Sequence, residues 1–391
     1  MRLMSVAERR ARLGVRHRLA ESARTDDVTQ IARDLVALHS TDPASVYLAA
    51  VARMRVPAPA AVDEALYGSR TLLRMLGMRR TVFVVPVERA PVVHAASTLG
   101  IAARERTRTE RFLAEEGMDG DVAGWLRETD EAALRALKAR GEATGAQLSA
   151  DEPRLRTRIT LARGKSYGGT QNIVSRVLFV LAAEGRIVRG RPVGSWISSQ
   201  YRWSPVESWL PGGMAELPPD AARVELARDW LAAYGPATAA DLKWWTGWTT
   251  GEVKRALAEL RPVEVDLGGA VGLLLPGDSE PVPAPEPWAA LLPALDPTAM
   301  GWAGRAWYLG DHGPALFDRT GNIGPTIWWD GRIVGGWAQR PDGEVAVRLL
   351  EDVGADAADA VRAEAGRLTE RLGDARVTPR FRTPLERELS A

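Results

Sequence analysis

An eight-residue pattern occurs twice in the chain and constrains its fold more than any other feature. The pattern G-x-A-T-x-A-x-L begins at Gly141 and again at Gly235. In each copy the threonine precedes apolar residues spaced as on one face of a helix, which predicts a threonine-capped helix. A second helical segment and then β-branched residues typical of strands follow each copy. Repetition of this order predicts two winged-helix units built from the same elements.

The remaining segments predict a third such unit and a β-rich end. Helical segments followed by a β-branched strand at 81–86 give the N-terminal part the outline of a winged helix. The proline-rich stretch 281–287 is typical of a stiff linker. Beyond it, hairpin turn signals at 330–331 and 341–343 predict a compact β-barrel-like domain. The pattern also predicts a helix at about 355–372 and a strand near 377–382 in this domain. We therefore predict an α+β fold with four domains, at 1–110, 111–215, 216–280 and 281–391.

Composition excludes several classes of chemistry. None of the 391 residues is cysteine, which excludes disulfides, thiolate zinc sites and cysteine nucleophiles and fits a reducing compartment. No apolar run has the length of a membrane span or of a signal-peptide core, so we expect a cytoplasmic protein. The four histidines, His17, His39, His94 and His312, show no metal-ligand spacing, and neither a metal nor another cofactor is expected.

Positive charge is concentrated in one segment. Residues 151–203 contain ten Arg and Lys against three Asp and Glu, which favours binding to a polyanion such as nucleic acid. In this segment aromatic residues alternate with arginine and can stack on bases, although the same pattern also fits a hairpin packed on a core. Three arginines beside the first predicted strand, Arg74, Arg79 and Arg80, can face phosphates or simply be solvated. The DNA-binding candidates are Arg74, Arg79, Arg154, Arg156, Arg158, Arg163, Lys165, Trp196, Tyr201 and Arg202.

The segment from His39 to Asp42 combines an imidazole, a hydroxyl and a carboxylate within four positions. The pattern predicts that an amphipathic helix runs into His39 and that a second helix starts after the break at Pro43. One interpretation makes Asp42 the N-cap of that second helix and His39 a hydrogen-bonded core residue. The other interpretation makes His39, Thr41 and Asp42 a catalytic group.

Several motifs together resemble the AlkZ and YcaQ family of winged-helix DNA glycosylases. They are A-L-H-S-T-D-P-A-S-V-Y-L at 37–48, M-R-R-T-V-F-V-V-P at 78–86, G-P-A-T at 235–238 with W-T-G at 245–247, L-P-A-L-D-P at 292–297, and D-G-R-I-V-G-G-W at 330–337. The resemblance covers nearly the whole chain. It implies three tandem winged helices that form a concave, DNA-embracing surface, followed by a C-terminal β-barrel.

The resemblance also implies an activity. It implies hydrolysis of the N-glycosidic bond of N7-alkylated purines in double-stranded DNA, including bulky adducts and crosslinks, by a monomer without a cofactor. The family's catalytic Gln-x-Gln or Gln-x-Asp pair falls on His39 and Thr41, with Asp42 directly after. We hypothesise that His39 orients or deprotonates the water, that Asp42 stabilises the sugar cation, and that Thr41 supports one of them. An alternative exchanges the roles of Asp42 and Thr41.

Two other functions fit the same sequence. Replacement of both family glutamines is a change expected in a non-catalytic winged-helix DNA-binding protein, acting as a regulator or by sequestering adducts. Winged helices also serve as protein-pairing modules, so a protein-interaction scaffold is another candidate function. A scaffold predicts weak DNA affinity with little dependence on salt, whereas several phosphate contacts predict a steep dependence.

Overall fold

The computed structural model of the chain describes residues 1–162, 164 and 168–391. The N-terminal part combines short helices with an antiparallel sheet of order β2-β4-β3. Its elements are β1 (Arg2–Leu3), α1 (Val6–Arg16), α2 (Val28–Asp34), β2 (Leu38–His39), α3 (Pro43–Val51), α4 (Pro59–Asp63), β3 (Leu72–Leu76), β4 (Val82–Pro86), α5 (Ala90–Val93) and α6 (Leu99–Glu115). Single π-helical turns follow α4 at Glu64–Gly68 and α5 at His94–Thr98.

The predicted helix running into His39 is wrong. Helix α2 ends at Asp34, and Val36 has a left-handed backbone with φ of 64°. That turn reverses the chain, so Leu38 pairs with Val84 and His39 with Phe83 across the β2–β4 ladder. His39 therefore lies on a two-residue strand instead of a helix end.

The middle of the chain contains the repeated pattern. Its elements are α7 (Val122–Arg140), α8 (Gly145–Asp151), β5 (Arg158–Leu161), β6 (Gly169–Asn172), α9 (Val174–Ala183), β7 (Ile187–Pro192), β8 (Tyr201–Pro205), α10 (Pro219–Tyr234), α11 (Ala239–Thr246), α12 (Thr250–Leu260), β9 (Val263–Asp266) and β10 (Val271–Leu274). Both copies place two helices before a hairpin, β7–β8 in the first and β9–β10 in the second. The N-terminal strand β1 pairs in parallel with β9 and extends the second hairpin. The winged-helix interpretation and the domain boundaries stay predictions.

Both predicted threonine caps are confirmed. Thr144 and Thr238 each accept a hydrogen bond from the backbone N–H three residues later, and the side chains of Gln147 and Asp241 accept from the threonine N–H in return. The copies differ because Oδ1 of Asp241 also accepts from the backbone N–H groups of Ala303 and Gly304, each at 2.9 Å. The second capping box therefore also ties α11 to the C-terminal part.

This difference predicts unequal costs for matched substitutions. Gln147→Ala removes one capping interaction and should lower the free energy of unfolding by about 1 kcal/mol. Asp241→Ala also leaves two further backbone N–H groups without their acceptor and should cost about 3 kcal/mol. Urea unfolding of both variants measures the two costs. Equal costs would contradict the proposed tie between α11 and the C-terminal part.

The C-terminal part is an open sheet rather than the predicted barrel. Its elements are β11 (Ala289–Leu292), α13 (Ala306–Leu309), α14 (Gly313–Leu316), β12 (Thr326–Trp329), β13 (Arg332–Gln339), β14 (Val345–Leu349), α15 (Ala355–Leu372) and α16 (Pro384–Leu389). The antiparallel order is β11-β12-β13-β14, and among the described residues the two edge strands do not pair with each other.

The open sheet is covered by helices instead of closing on itself as a barrel. Apolar residues of α15, such as Val361 and Leu368, pack on Ile327 and Trp337 of the sheet. The hairpin turns predicted at 330–331 and 341–343 are confirmed by the β12–β13 and β13–β14 ladders. The strand predicted near 377–382 is wrong, because this segment runs without regular structure and packs against the start of α3.

The two largest hydrophobic cores among the described residues and a buried ion pair hold these parts together. The larger core draws on residues from Leu13 to Leu389, while residues between Phe112 and Ile187 form a separate core. Arg53, just after α3, and Asp296 are both 0% exposed and form two hydrogen bonds, at 2.9 and 2.7 Å. Within the described ranges, no helix is long and apolar enough to cross a membrane.

Candidate active site

The loop from β2 into α3 positions the predicted catalytic carboxylate. Asp42 is the N-cap of α3, with Pro43 at the first helical position, so the N-cap interpretation is confirmed. Its Oδ1 accepts from the N–H of Ala44 at 3.2 Å, and its Oδ2 accepts from the N–H of Arg380 at 3.0 Å. Burial raises the pKa of Asp42, and the two N–H donors oppose that rise. The carboxylate is thus held rigidly while only 6% exposed.

His39 is a buried, neutral imidazole. It is 8% exposed, and the ring of Phe83 meets it edge-on with 5.3 Å between ring centroids. Burial and the charge of Arg79 lower its pKa to about 3. The N–H of Thr41 donates to Nδ1 at 3.4 Å, which places the ring proton on Nε2. His39 can therefore donate a hydrogen bond to a water from Nε2, which favours the orienting role over deprotonation.

The low pKa of His39 predicts that acid destabilises the fold. The unfolded histidine binds a proton below about pH 6.5 and the folded one only near pH 3, so stability is lost as pH falls through that window. For this group, the free energy of unfolding should fall by about 1.4 kcal/mol for each pH unit within the window. Urea unfolding between pH 7.5 and 5.5 should show a smaller loss for His39→Gln than for wild type. Parallel losses in both proteins would contradict the assignment.

Arg79 lies beside His39 on the turn between β3 and β4. The guanidinium lies 4.1 Å from the ring of Trp244, and Arg305 lies near the same ring at 4.8 Å. Arg79 is exposed, and within the described part of the chain no carboxylate lies within 4.0 Å of it. Its predicted contact with a DNA phosphate remains a proposal that this geometry favours.

The predicted phosphate contact of Arg74 does not fit its surroundings. Arg74 is 2% exposed and donates to Oγ of Ser40 at 2.7 Å and to the hydroxyl of Tyr67 at 2.5 Å. Its guanidinium lies over the ring of Tyr201, 4.6 Å from the centroid. Arg74 instead holds the side chain of Ser40, which lies between His39 and Thr41.

The β7–β8 hairpin brings two predicted aromatic residues to the motif. Tyr201 lies under Arg74, and Trp196 packs on Tyr47 of α3 with 5.0 Å between centroids. Both rings therefore pack against the core around α3, which fits the packing alternative weighed from the sequence. A stacking role for either ring on DNA bases stays a prediction.

The other predicted DNA contacts lie away from the motif. Arg154 pairs with Glu152 and Glu128, Arg156 donates to the carbonyl of Ser149, and Arg202 pairs with Glu142. Arg158 is exposed on β5. Among the described residues, none of these four has a hydrogen bond or ion pair with the His39–Asp42 loop. Arg163 and Lys165 lie outside the described residues.

Sequence reasoning missed two arginines at the site. Arg380 donates its backbone N–H to Asp42 and, from its side chain, a hydrogen bond to the carbonyl of Thr41 at 3.4 Å. The guanidinium of Arg189, on β7, lies 5.5 Å from the centroid of the Tyr201 ring. Arg189 was among the basic residues counted in 151–203, but only the fold singles it out. In the described ranges, no three His, Asp or Glu side chains are grouped to hold a metal ion.

Comparisons with known proteins agree with this architecture. A family model described as DNA glycosylase AlkZ-like matches residues 32–371. The solved structure of the Streptomyces sahachiroi DNA glycosylase AlkZ is similar in fold, with a TM-score of 0.73 at 20% sequence identity, covering 96% of this chain and 98% of that one. No curated protein sequence matches the chain. The family match spans most of the chain, including the loop from β2 into α3, and the chain belongs to the AlkZ-like DNA glycosylase family.

Proposed function

We propose that the chain is a monofunctional DNA glycosylase that hydrolyses the N-glycosidic bond of N7-alkylated purines, including bulky adducts and crosslinks, in double-stranded DNA. The observation that carries the proposal is the loop joining β2 to α3, which holds a neutral His39 and, three residues later, the buried Asp42 carboxylate. The chain acts as a monomer and needs no cofactor for this chemistry.

The proposed chemistry follows from the leaving group. Alkylation at N7 makes the purine cationic, so the bond breaks with little help from a general acid. The protein must stabilise a developing sugar cation and position a water. Asp42 supplies negative charge for the cation and an acceptor for the water proton. His39 donates from Nε2 to orient the water, and Thr41 fixes the tautomer of His39 through its backbone N–H.

Charge around the loop supports DNA as the partner. Arg79 and Arg380 flank His39 and Asp42, and no carboxylate in the described ranges neutralises Arg79. Cations next to a catalytic carboxylate suit a phosphodiester substrate, because each phosphate brings one negative charge to the site. The concave surface of three winged helices remains part of this proposal.

A specific observation keeps a second function open. Both family glutamines are replaced, by His39 and Thr41, and the Asp42 carboxylate already receives two backbone N–H groups. A protein that binds alkylated DNA without cleaving the glycosidic bond would show the same features.

Base release distinguishes the two functions. The wild-type protein is incubated with duplex DNA that carries one N7-methylguanine or one bulkier N7 adduct, and abasic sites are revealed by alkaline cleavage. We expect single-turnover release above the spontaneous rate for at least one lesion, with strand cleavage only after alkali. Tight lesion binding with release at the spontaneous rate would overturn the proposal in favour of the binding protein.

A further inference from the structure

The β7–β8 hairpin carries a cation that the proposed chemistry does not yet use. The guanidinium of Arg189 lies 5.5 Å from the ring centroids of both Tyr201 and Trp203 on the facing strand. Burial lowers the pKa of Arg189, and the charges of Arg74 and Arg380 act in the same direction. Three arginines from three distant parts of the chain therefore converge beside the loop that carries Thr41 and Asp42.

The charge of Arg189 is not neutralised by the protein. Within the described part of the chain, its side chain makes no hydrogen bond and no ion pair, although it is half-buried. Arg186, at the start of the same hairpin, pairs instead with Glu131 at 2.6 Å. Burying a cation without a partner costs free energy, so such an arrangement suits a site whose anion arrives with a ligand.

A second polar group at the same place also lacks a partner. The hydroxyl of Tyr201 is buried and, among the described residues, has no hydrogen-bond partner. Burial raises the pKa of this phenol, so it stays protonated and can donate. The Tyr201 ring lies 4.6 Å from the guanidinium of Arg74, which donates to Ser40, so the phenol lies close to the loop between His39 and Asp42. The missing partner for both groups is an acceptor oxygen, and for Arg189 a negatively charged one.

We propose that Arg189, supported by the ring of Tyr201, binds the DNA phosphate adjacent to the lesion nucleotide and thereby holds its sugar against Asp42. The inference rests on the proposed function and adds a positioning residue to it. A guanidinium suits this task because two of its N–H groups can bind two phosphate oxygens at once.

Removing the charge of single phosphates tests the contact with the unaltered protein. Duplexes with one N7-methylguanine receive a neutral methylphosphonate at each neighbouring position in turn, and binding is measured for wild type and Arg189→Met. We expect one methylphosphonate, at the phosphate next to the lesion nucleotide, to weaken DNA binding by the wild-type protein about 10-fold. The same methylphosphonate should not weaken DNA binding by Arg189→Met any further. In Arg189→Met, the slope of log K against log salt concentration should become shallower by about one unit, which corresponds to the loss of one phosphate contact.

Two further variants keep the result interpretable. Arg186→Met makes the same substitution three residues earlier and should keep the wild-type pattern. Arg189→Lys keeps the charge and should retain the salt slope while losing part of the affinity, and it replaces Arg189→Met if that variant does not fold. The proposal is overturned if the sensitive phosphate lies elsewhere or if Arg189 variants respond to it as wild type does. Binding is read without base release, so failure of the proposed activity and failure of this contact are separate results.

Discussion

Asp42→Asn should reduce the single-turnover rate of base release by about 100- to 1000-fold, which corresponds to about 2.7 to 4 kcal/mol of transition-state stabilisation. Asparagine has the shape of aspartate and caps helices equally well, so α3 should keep its start. The substitution removes the negative charge that is proposed to face the sugar cation. DNA affinity should stay within about threefold, because no phosphate contact is lost.

A matched substitution separates capping from catalysis. Asp27 is the N-cap of α2 and accepts from the N–H of Gln30 at 3.0 Å, as Asp42 does for α3. Asp27→Asn should leave base release unchanged. If Asp42→Asn releases base as fast as Asp27→Asn, then Asp42 only caps α3 and the catalytic charge lies elsewhere.

Asp296→Ala should lower the free energy of unfolding by about 3 to 5 kcal/mol, a large share of the stability of a typical domain. The substitution leaves the fully buried guanidinium of Arg53 without its counter-charge. It also removes the acceptor of the N–H of Thr298, at 2.9 Å from Oδ1 of Asp296. Urea unfolding, followed by tryptophan fluorescence and by circular dichroism, measures the loss.

Two comparisons show whether the missing charge is the cause. The double variant Arg53→Met with Asp296→Leu should regain much of the loss, because apolar residues can replace a buried pair at little cost. Glu207→Ala breaks the exposed pair with Lys138 and should cost less than about 1 kcal/mol. A loss for Asp296→Ala no larger than for Glu207→Ala would show that the buried pair does not support the fold.

Features fixed by neighbouring residues were predictable from the sequence. The caps at Asp42, Thr144 and Thr238 each depend on hydrogen bonds within three residues, so their patterns could be read directly. Helix α15 and the β12–β13 turn follow in the same way from spacing and turn residues.

Features fixed by distant residues were not predictable. His39 looked helical because its apolar neighbours have no signal for the left-handed turn at Val36. The barrel prediction failed because sequence spacing does not say that α15 covers a face of the open sheet. Arg74 was predicted to face phosphate or solvent, but Ser40 and Tyr67 surround it. Arg189 became distinct only because the fold brings it and Arg74 to the same ring, that of Tyr201.

The division of the interior into separate cores has a consequence for synthesis on the ribosome. Residues between Phe112 and Ile187 contain a complete core of their own, so this segment can become compact as soon as it leaves the exit tunnel. The N-terminal part must wait, because strand β1 needs β9 and Arg53 needs Asp296. The loop before α3 therefore acquires its final surroundings only after Arg380 has been made.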